Sequence, residues 1–127
     1  MSYEMDTLDV TLLAAGDLST YQYKFVKLSA DNTVTYAGAG EAAIGVLQNK
    51  PSAAGQAARV RVFGVTRVVG GVTIAYGDKV GVGASALGAV MTANKDIYLG
   101  ICIEGTGTWS ATQVATVLLS GQQTLSA

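Results

Sequence analysis

The sequence lacks histidine and contains one cysteine, Cys102. Without histidine it has no Ser-His-Asp triad, no histidine metal ligand and no side chain that ordinarily titrates near neutral pH. A single cysteine excludes a disulfide within these residues and a cysteine-based metal cluster. We therefore predict that the protein is not an enzyme, and that it has neither a metal site nor a bound cofactor.

Charge is also scarce, because charged residues make up 13% of the chain and the formal net charge is −1. Partners such as nucleic acids and anionic membranes usually require clustered Lys and Arg, so we predict neither partner. The first ten residues, MSYEMDTLDV, carry acidic side chains where a signal peptide needs basic ones. No apolar run approaches the roughly 18 residues of a membrane span, which predicts a soluble protein made in the cytoplasm.

Two further patterns bear on chemistry. The nine Asp and Glu residues would allow a carboxylate pair of the glycosidase type, but such sites usually need a long cleft and this domain is small. Gly38, Gly40 and Gly45 lack the Lys and Ser or Thr of a phosphate-binding loop, and they run into a predicted strand rather than a helix. We interpret these glycines as part of a hairpin connection.

The sequence is rich in short apolar runs, and half of its residues are hydrophobic. Gly, Asn and Asp interrupt these runs about every ten residues, and no longer window has an apolar stripe at helical spacing. This pattern predicts an all-β barrel or sandwich with little or no helix. The rest of the chain is organised around residues 42–69, which we predict to form a strand, a loop and a second strand. We also predict strands over residues 21–29, 72–76 and 113–119.

A weak internal repeat relates the two halves of the chain at an offset of 55 residues. The matched pairs are Val10 and Val65, Thr11 and Thr66, Gly16 and Gly71, Tyr21 and Tyr76, Lys24 and Lys79, and Gly45 and Gly100. After two extra residues in the second half, Val60, Val62 and Gly64 match Val117, Leu119 and Gly121. We therefore predict a barrel built from two similar halves, over about residues 10–64 and 65–121.

The length of 127 residues suits one domain with a core of its own. We predict a single β domain over residues 8–120, with an N-terminal arm of residues 1–7 and a loose, polar C-terminal tail of residues 121–127. The arm contains Tyr3 and Met5 and is either a frayed terminus or a segment that orders against a neighbouring subunit.

Few side chains suggest a binding surface. Arg59, Arg61 and Arg67 are the only arginines, and they form either a solvated strand face or carboxylate-pairing groups at a protein interface. Arg59 and Arg61 should face away from Val60. Trp109 is the only tryptophan and serves either in packing or, with the tyrosines, as a stacking platform for sugars or single-stranded nucleic acid. Cys102 lies in an apolar run and is interpreted as a small buried hydrophobe.

From about Leu8 to Leu119 the chain resembles the capsid cement or decoration proteins of tailed bacteriophages, which are small head-stabilising proteins. The segments that carry the resemblance are YKFVKL, AIGVLQNKP, the strand ending in Gly64 and Val65, GDKV and VATVLLSG. The resemblance implies a β-barrel-like virion protein on the outer capsid surface, which bridges neighbouring major capsid proteins and stabilises the expanded shell.

The partners implied by this resemblance are the major capsid protein and further copies of the chain, as a homo-oligomer with a trimer favoured and a dimer possible. No catalytic residue carries over. The candidate capsid or subunit interface consists of Tyr3, Met5, Leu8, Arg59, Arg61, Arg67 and Trp109. The alternative function is a virion-surface module that recognises host carbohydrate through Trp109 and nearby tyrosines.

Overall fold

The computed structural model describes residues 7–93, 95–105 and 113–124. Within these ranges the fold consists of nine strands and one 3-10 turn, Ala84–Ala86. The strands in chain order are β1 (Leu8–Ala14), β2 (Phe25–Ala30), β3 (Thr33–Tyr36), β4 (Gly45–Leu47), β5 (Ala57–Gly70), β6 (Lys79–Val82), β7 (Gly88–Val90), β8 (Ile97–Glu104) and β9 (Gln113–Thr124). The predicted all-β class with little helix is confirmed. None of the described helical segments is long and apolar enough to cross a membrane.

The first five strands close into a barrel. Their pairing order is β1, β3, β2, β4 and β5, and β5 pairs back onto β1. The β1–β3 pair is parallel, and the other four pairs are antiparallel. Inward-facing side chains of Val26, Val34, Leu47 and Val60 fill this barrel and are fully buried. Closure leaves none of the five strands with a free edge along its paired segment.

The second half repeats this circuit. The order is β5, β7, β6, β8 and β9, with β9 pairing back onto β5. Among the pairs formed by the described residues of this half, only the first one, β5–β7, is again parallel. Strand β5 is 14 residues long. Its first part pairs with β1 and completes the first circuit, while its second part pairs with β9 and belongs to the second circuit. The prediction of two pseudo-repeated halves is confirmed, with the two halves sharing one continuous strand.

Strand register shows which residues correspond. Val26 pairs with Gly45 in the first circuit, and Val80 pairs with Gly100 in the second, so the two glycines are equivalent. Likewise Leu47 pairs with Val60, and Cys102 pairs with Val117. The predicted matches of Gly45 with Gly100 and of Val60 with Val117 are therefore confirmed. Gly64 and Gly121, which the sequence also matches, both have positive φ, at 101° and 91°.

All five predicted matches that precede Gly45 are wrong by one residue, and two of them illustrate the shift. Asp9 pairs with Arg61, and Val65 pairs with Leu118, so Val65 corresponds to Asp9 rather than to Val10. By the same reasoning Lys79 corresponds to Phe25 rather than to Lys24, because these residues pair with Ile101 and Val46. Connections of slightly different length in the two halves shift the register, which a fixed sequence offset cannot follow.

A second buried cluster joins the two halves. It contains Val68, Val80, Leu99, Val117 and Leu119 from the second half. It also contains Phe25, Ala37, Ala43 and Val46 from the first half, and these face away from the first barrel's own core. Two backbone hydrogen bonds reinforce the contact: Val69 N donates to Tyr23 O at 2.9 Å, and Gly40 N donates to Val82 O at 3.0 Å. The outer face of β2 and β4 is thus covered by the second half.

Three predicted strand bounds are wrong. The strand predicted from residue 21 begins at Phe25, because Tyr23 has a left-handed φ of 63° and Lys24 N closes a turn onto Tyr21 O. The strand predicted over residues 72–76 is absent, and those residues are a connection. Strand β9 continues to Thr124, so the first four residues of the predicted loose tail are ordered by pairing with β8. Because these four residues are not apolar, a hydropathy pattern does not predict that they form a strand.

Candidate interaction surface

Strand β5 presents alternate residues to opposite sides along its whole length. Val60 is fully buried, whereas its neighbour Arg59 is exposed and Arg61 is half-buried, which confirms that both arginines face away from Val60. The outward set has period two, as a strand requires. Its members are Arg59, Arg61, Phe63, Val65 and Arg67, and we call this set the β5 outer face.

Arg61 is held by an acidic residue of the neighbouring strand. The register places Asp9 of β1 opposite Arg61, and the guanidinium donates twice to the carboxylate, from Nε to Oδ1 at 2.8 Å and from Nη2 to Oδ2 at 3.2 Å. Arg61 Nη1 also donates to Val65 O at 3.0 Å. This bidentate geometry is the strong form of a carboxylate–guanidinium pair.

The arginines lower the pKa of Asp9. The hydrogen bonds from Arg61 are the main cause, and the positive charges of Arg61 and Arg59 add to it, while partial burial acts in the opposite direction. Arg59 lies farther away, with its Nε 3.5 Å from Asp9 Oδ2. The Asp9 carboxyl is therefore ionised at neutral pH and fixes Arg61 in place.

The three arginines consequently differ in their availability to a partner. The Arg61 side chain is 21% exposed and satisfied within the chain, while that of Arg59 is 55% exposed. Arg67 is exposed and makes no ion pair with any residue in the described ranges. Carboxylate pairing was one of the two alternatives, and it occurs at Arg61 inside the molecule rather than across an interface. Arg59 and Arg67 remain open to contact.

A shallow polar depression of about 420 Å³ lies where β5 passes from one circuit to the other. Its lining residues are Tyr23, Gln48, Arg61, Val65, Thr66, Arg67, Glu104 and Thr116. Beneath it Gln48 and Thr66 are buried, and Gln48 Nε2 donates to Thr66 Oγ1 at 2.8 Å and to Val46 O at 3.1 Å. Polar groups of both signs line the depression, so it suits hydrogen-bonding groups of another molecule.

An exposed apolar pair lies at one end of the β5 outer face. Leu8 of β1 pairs with Phe63 of β5, and their side chains are 55% and 54% exposed. Leu8 was predicted as an interface residue, and the structure places it beside the arginines. Phe63 was missed, although it shares the parity of Arg59 and Arg61 along the strand. That parity was the signal that could have found it.

A second group of exposed apolar residues, on β8 and β9, was not predicted. Ile101 and Leu118 pair across these strands and Ile103 lies nearby, each about two-fifths exposed. No sequence signal marks them, because an apolar strand residue is equally compatible with a core position. Tyr3, Met5 and Trp109 of the predicted interface lie outside the described residues, so the carbohydrate-binding alternative through Trp109 stays a prediction.

The described residues contain no group of three or more His, Cys, Asp or Glu side chains close enough to hold a metal ion. Cys102 is 1% exposed, which confirms its interpretation as a buried hydrophobe. Burial is the main cause that raises the pKa of its thiol, and the nearby charges of Asp78 and Glu104 add to the effect. The thiol is therefore protonated and poorly nucleophilic at neutral pH.

No protein-family model matches this sequence. No curated protein is similar to it either. Among solved structures, the chain is similar to the head fibre gp8.5 N base of bacteriophage phi29, with a TM-score of 0.66 and 16% sequence identity. The similarity covers 91% of this chain and 95% of that one. It is a likeness of fold that extends over nearly the whole of both chains.

Proposed function

We propose that this protein is a structural protein of a bacteriophage head, in the role of a cement or decoration protein. It binds the outer surface of the icosahedral shell and stabilises the expanded state by bridging neighbouring major capsid proteins. The observation that carries the proposal is the similarity of fold, over 91% of the chain, to the base of a phage head fibre. The resemblance of its sequence segments to cement proteins points the same way.

The β5 outer face and its neighbour Leu8 are the surface proposed for the capsid. Leu8 and Phe63 supply apolar area, and Arg59 and Arg67 supply cationic groups not fixed within a bidentate pair. Aromatic side chains and arginine are enriched in protein interfaces. The adjoining polar depression offers donors and acceptors to the same partner.

The stabilisation follows from linkage. If the protein binds the expanded lattice more tightly than the unexpanded one, it stabilises the expanded state by the difference between the two binding free energies. An oligomer that contacts several capsid subunits also gains from multivalency, because the later contacts form at a high effective concentration. Each individual contact can then be modest, and we favour a trimer for this assembly.

The test is binding of the purified protein to expanded and unexpanded capsids of the phage that encodes it, by co-sedimentation and calorimetry. We expect binding to the expanded shell and a higher temperature of shell disruption. Phe63→Asp combined with Arg67→Glu should weaken binding at least tenfold. The matched control is Tyr76→Asp, a change of an exposed aromatic residue between β5 and β6. Absence of binding to both shells would overturn the proposal.

A further inference from the structure

The polar depression beside strand β5 contains a buried acceptor that the chain leaves without a donor. Gln48 is 7% exposed and lines the depression. Its side-chain Nε2 donates to Val46 O and to Thr66 Oγ1, and Thr66 Oγ1 in turn donates to Arg67 O at 3.1 Å. Because Val46 O can only accept, these bonds fix which end of the Gln48 amide is the nitrogen. No residue in the described ranges donates to Gln48 Oε1, so water or a ligand must complete its hydrogen bonding.

Two opposite charges lie at the ends of a row of residues in the lining of the depression. Arg67 of β5 pairs with Thr116 of β9, and Thr116 also pairs with Glu104 of β8. Neighbouring strands lie about 4.8 Å apart, so the backbones at the two ends of this row are about 10 Å apart. Neither Arg67 nor Glu104 forms an ion pair with another residue in the part of the chain that the structure describes. The row therefore offers a ligand a cation, a hydroxyl and a carboxylate in sequence.

Tyr23 also lines the depression, and its backbone is held in an unfavourable conformation. Its φ of 63° is left-handed, which is rare for a bulky side chain. Two hydrogen bonds enforce it, because Tyr23 N donates to Leu47 O at 2.7 Å and Tyr23 O accepts from Val69 N at 2.9 Å. Strained backbone of this kind clusters at binding and active sites. No described residue bonds to the Tyr23 hydroxyl, so it is a further donor and acceptor for a ligand.

We propose that the depression binds an extended peptide segment of the partner protein. The segment places an acidic side chain against Arg67 and a basic side chain against Glu104, and one of its backbone N–H groups donates to Gln48 Oε1. Side chains two residues apart in an extended chain lie on the same side and about 7 Å apart, so their long stems reach both ends of the row. This inference rests on the proposed function, in which the partner is the major capsid protein, and it names the chemistry that this partner presents beside the β5 outer face.

Other classes of ligand fit the depression less well. A simple carboxylate anion pairs with Arg67 but brings no donor for Gln48 Oε1. A nucleic-acid strand places phosphates beside the Glu104 carboxylate, which repels them. A neutral sugar has donors for Gln48 Oε1 but no charges for the two ends of the row. A peptide with an acidic and a basic side chain supplies the donor and both charges in one molecule.

The probe is the blocked pentapeptide acetyl-ADAKA-amide, added to the full chain and followed by NMR. We expect saturable shifts of the Gln48 side-chain amide and of the backbone amides of Thr66 and Thr116. The uncharged analogue acetyl-ANAQA-amide should bind about tenfold more weakly, because it lacks both charges. Sodium acetate and maltose represent the anion and the sugar. Binding of either one to the depression as tightly as the pentapeptide would overturn the inference.

Two substitutions and a modified peptide series test the individual contacts. Arg67→Gln and Glu104→Gln each remove one charge of the row, and each should weaken peptide binding about fivefold. Lys50→Gln and Asp31→Asn are the matched controls, because they change exposed charges outside the depression. Circular dichroism should show wild-type folding for all four variants, since all four sites are exposed. In the peptide series each backbone amide is replaced in turn by an ester, and the member that lacks the N–H bonded to Gln48 should bind about fivefold more weakly.

The inference is overturned if the pentapeptide causes no saturable shifts at the depression, or if Arg67→Gln or Glu104→Gln binds it with wild-type affinity. An ester series in which every member binds like the parent peptide also overturns it. The capsid test separates the two proposals. If wild type and both variants bind expanded capsids equally well, the inference fails and the proposed function stands. If the pentapeptide binds at the depression but wild type binds no capsid, the proposed function fails and the depression remains a peptide site.

Discussion

Gly45 and Gly100 make the same close contact in the two halves of the molecule. A Cβ on Gly45 would overlap the carbonyl oxygen of Arg61, and a Cβ on Gly100 would overlap the carbonyl oxygen of Leu118. Arg61 and Leu118 are themselves equivalent, because they pair with Val46 and Ile101. Both halves therefore need glycine at this position for the same steric reason.

Replacement of either glycine by alanine should destabilise the protein. The added methyl group meets backbone, which moves less readily than a side chain, so we expect a loss of about 1 to 3 kcal/mol for Gly45→Ala and for Gly100→Ala. Urea unfolding measures this loss. Gly16→Ala is the matched control, because nothing lies within 4 Å of its Cβ. Equal stability of Gly45→Ala and Gly16→Ala would contradict the close approach of the two backbones.

Arg61 and Arg59 should respond differently to removal. Arg61→Ser leaves Asp9 without its bidentate partner and removes the hydrogen bond that Val65 O accepts from Nη1, so we expect a loss of about 1 to 3 kcal/mol. Arg59→Ser removes an exposed and more distant charge, and its cost should stay below about 0.5 kcal/mol. Chemical denaturation of both variants checks the ranking. Replacing both arginines by serine should therefore also destabilise the protein, whereas a purely solvated strand face would predict no change in stability.

Val60→Asp should prevent folding of the first barrel. Val60 is fully buried among apolar side chains, and an aspartate there would be a buried charge without a partner. Circular dichroism and proton NMR should show an unfolded or aggregated chain. Thr11→Asp, at an exposed position of β1 opposite Arg59, is the control and should fold normally. A folded Val60→Asp protein would show that the faces of β5 have been assigned wrongly.

Stability should depend on pH through Asp9. Its pKa is lowered in the folded state, so its contribution to stability is present above the unfolded-state pKa of about 3.9 and is lost as the pH falls through the folded-state value. Asp9→Asn should therefore be less stable than wild type at pH 7, with the gap narrowing below about pH 4. Urea unfolding at several pH values measures the gap. A gap that stays constant down to pH 2 would exclude this role.

Cys102 should be inert in the native protein. Its side chain is 1% exposed, so a reagent cannot easily reach the thiol. Burial also raises its pKa, so little of it is in the reactive thiolate form. Ellman's reagent should react slowly under native conditions and rapidly in denaturant. Fast native labelling would mean that the cluster around Cys102 opens readily.

Sequence patterns predicted the parts of this fold that depend on local alternation and on steric need. Val60 and Arg59 face opposite sides because side chains alternate along a strand. Gly45 and Gly100 match because a Cβ at either position would overlap the backbone of the neighbouring strand. The partner of Arg61 was not predictable, because Asp9 is remote in sequence and only the β1–β5 register brings the two together. The 14-residue run of β5 reads as a single strand, and composition contains no sign that it serves two circuits.

The shared strand also bears on the shape of anything built from this protein. A flexible linker would let the two halves move relative to each other, but here they are joined through one continuous strand, which contains Gly64 at a φ of 101°. The shared strand therefore fixes the orientation of one half relative to the other. Any partner that contacts both halves at once would therefore meet their surfaces in one fixed relative orientation.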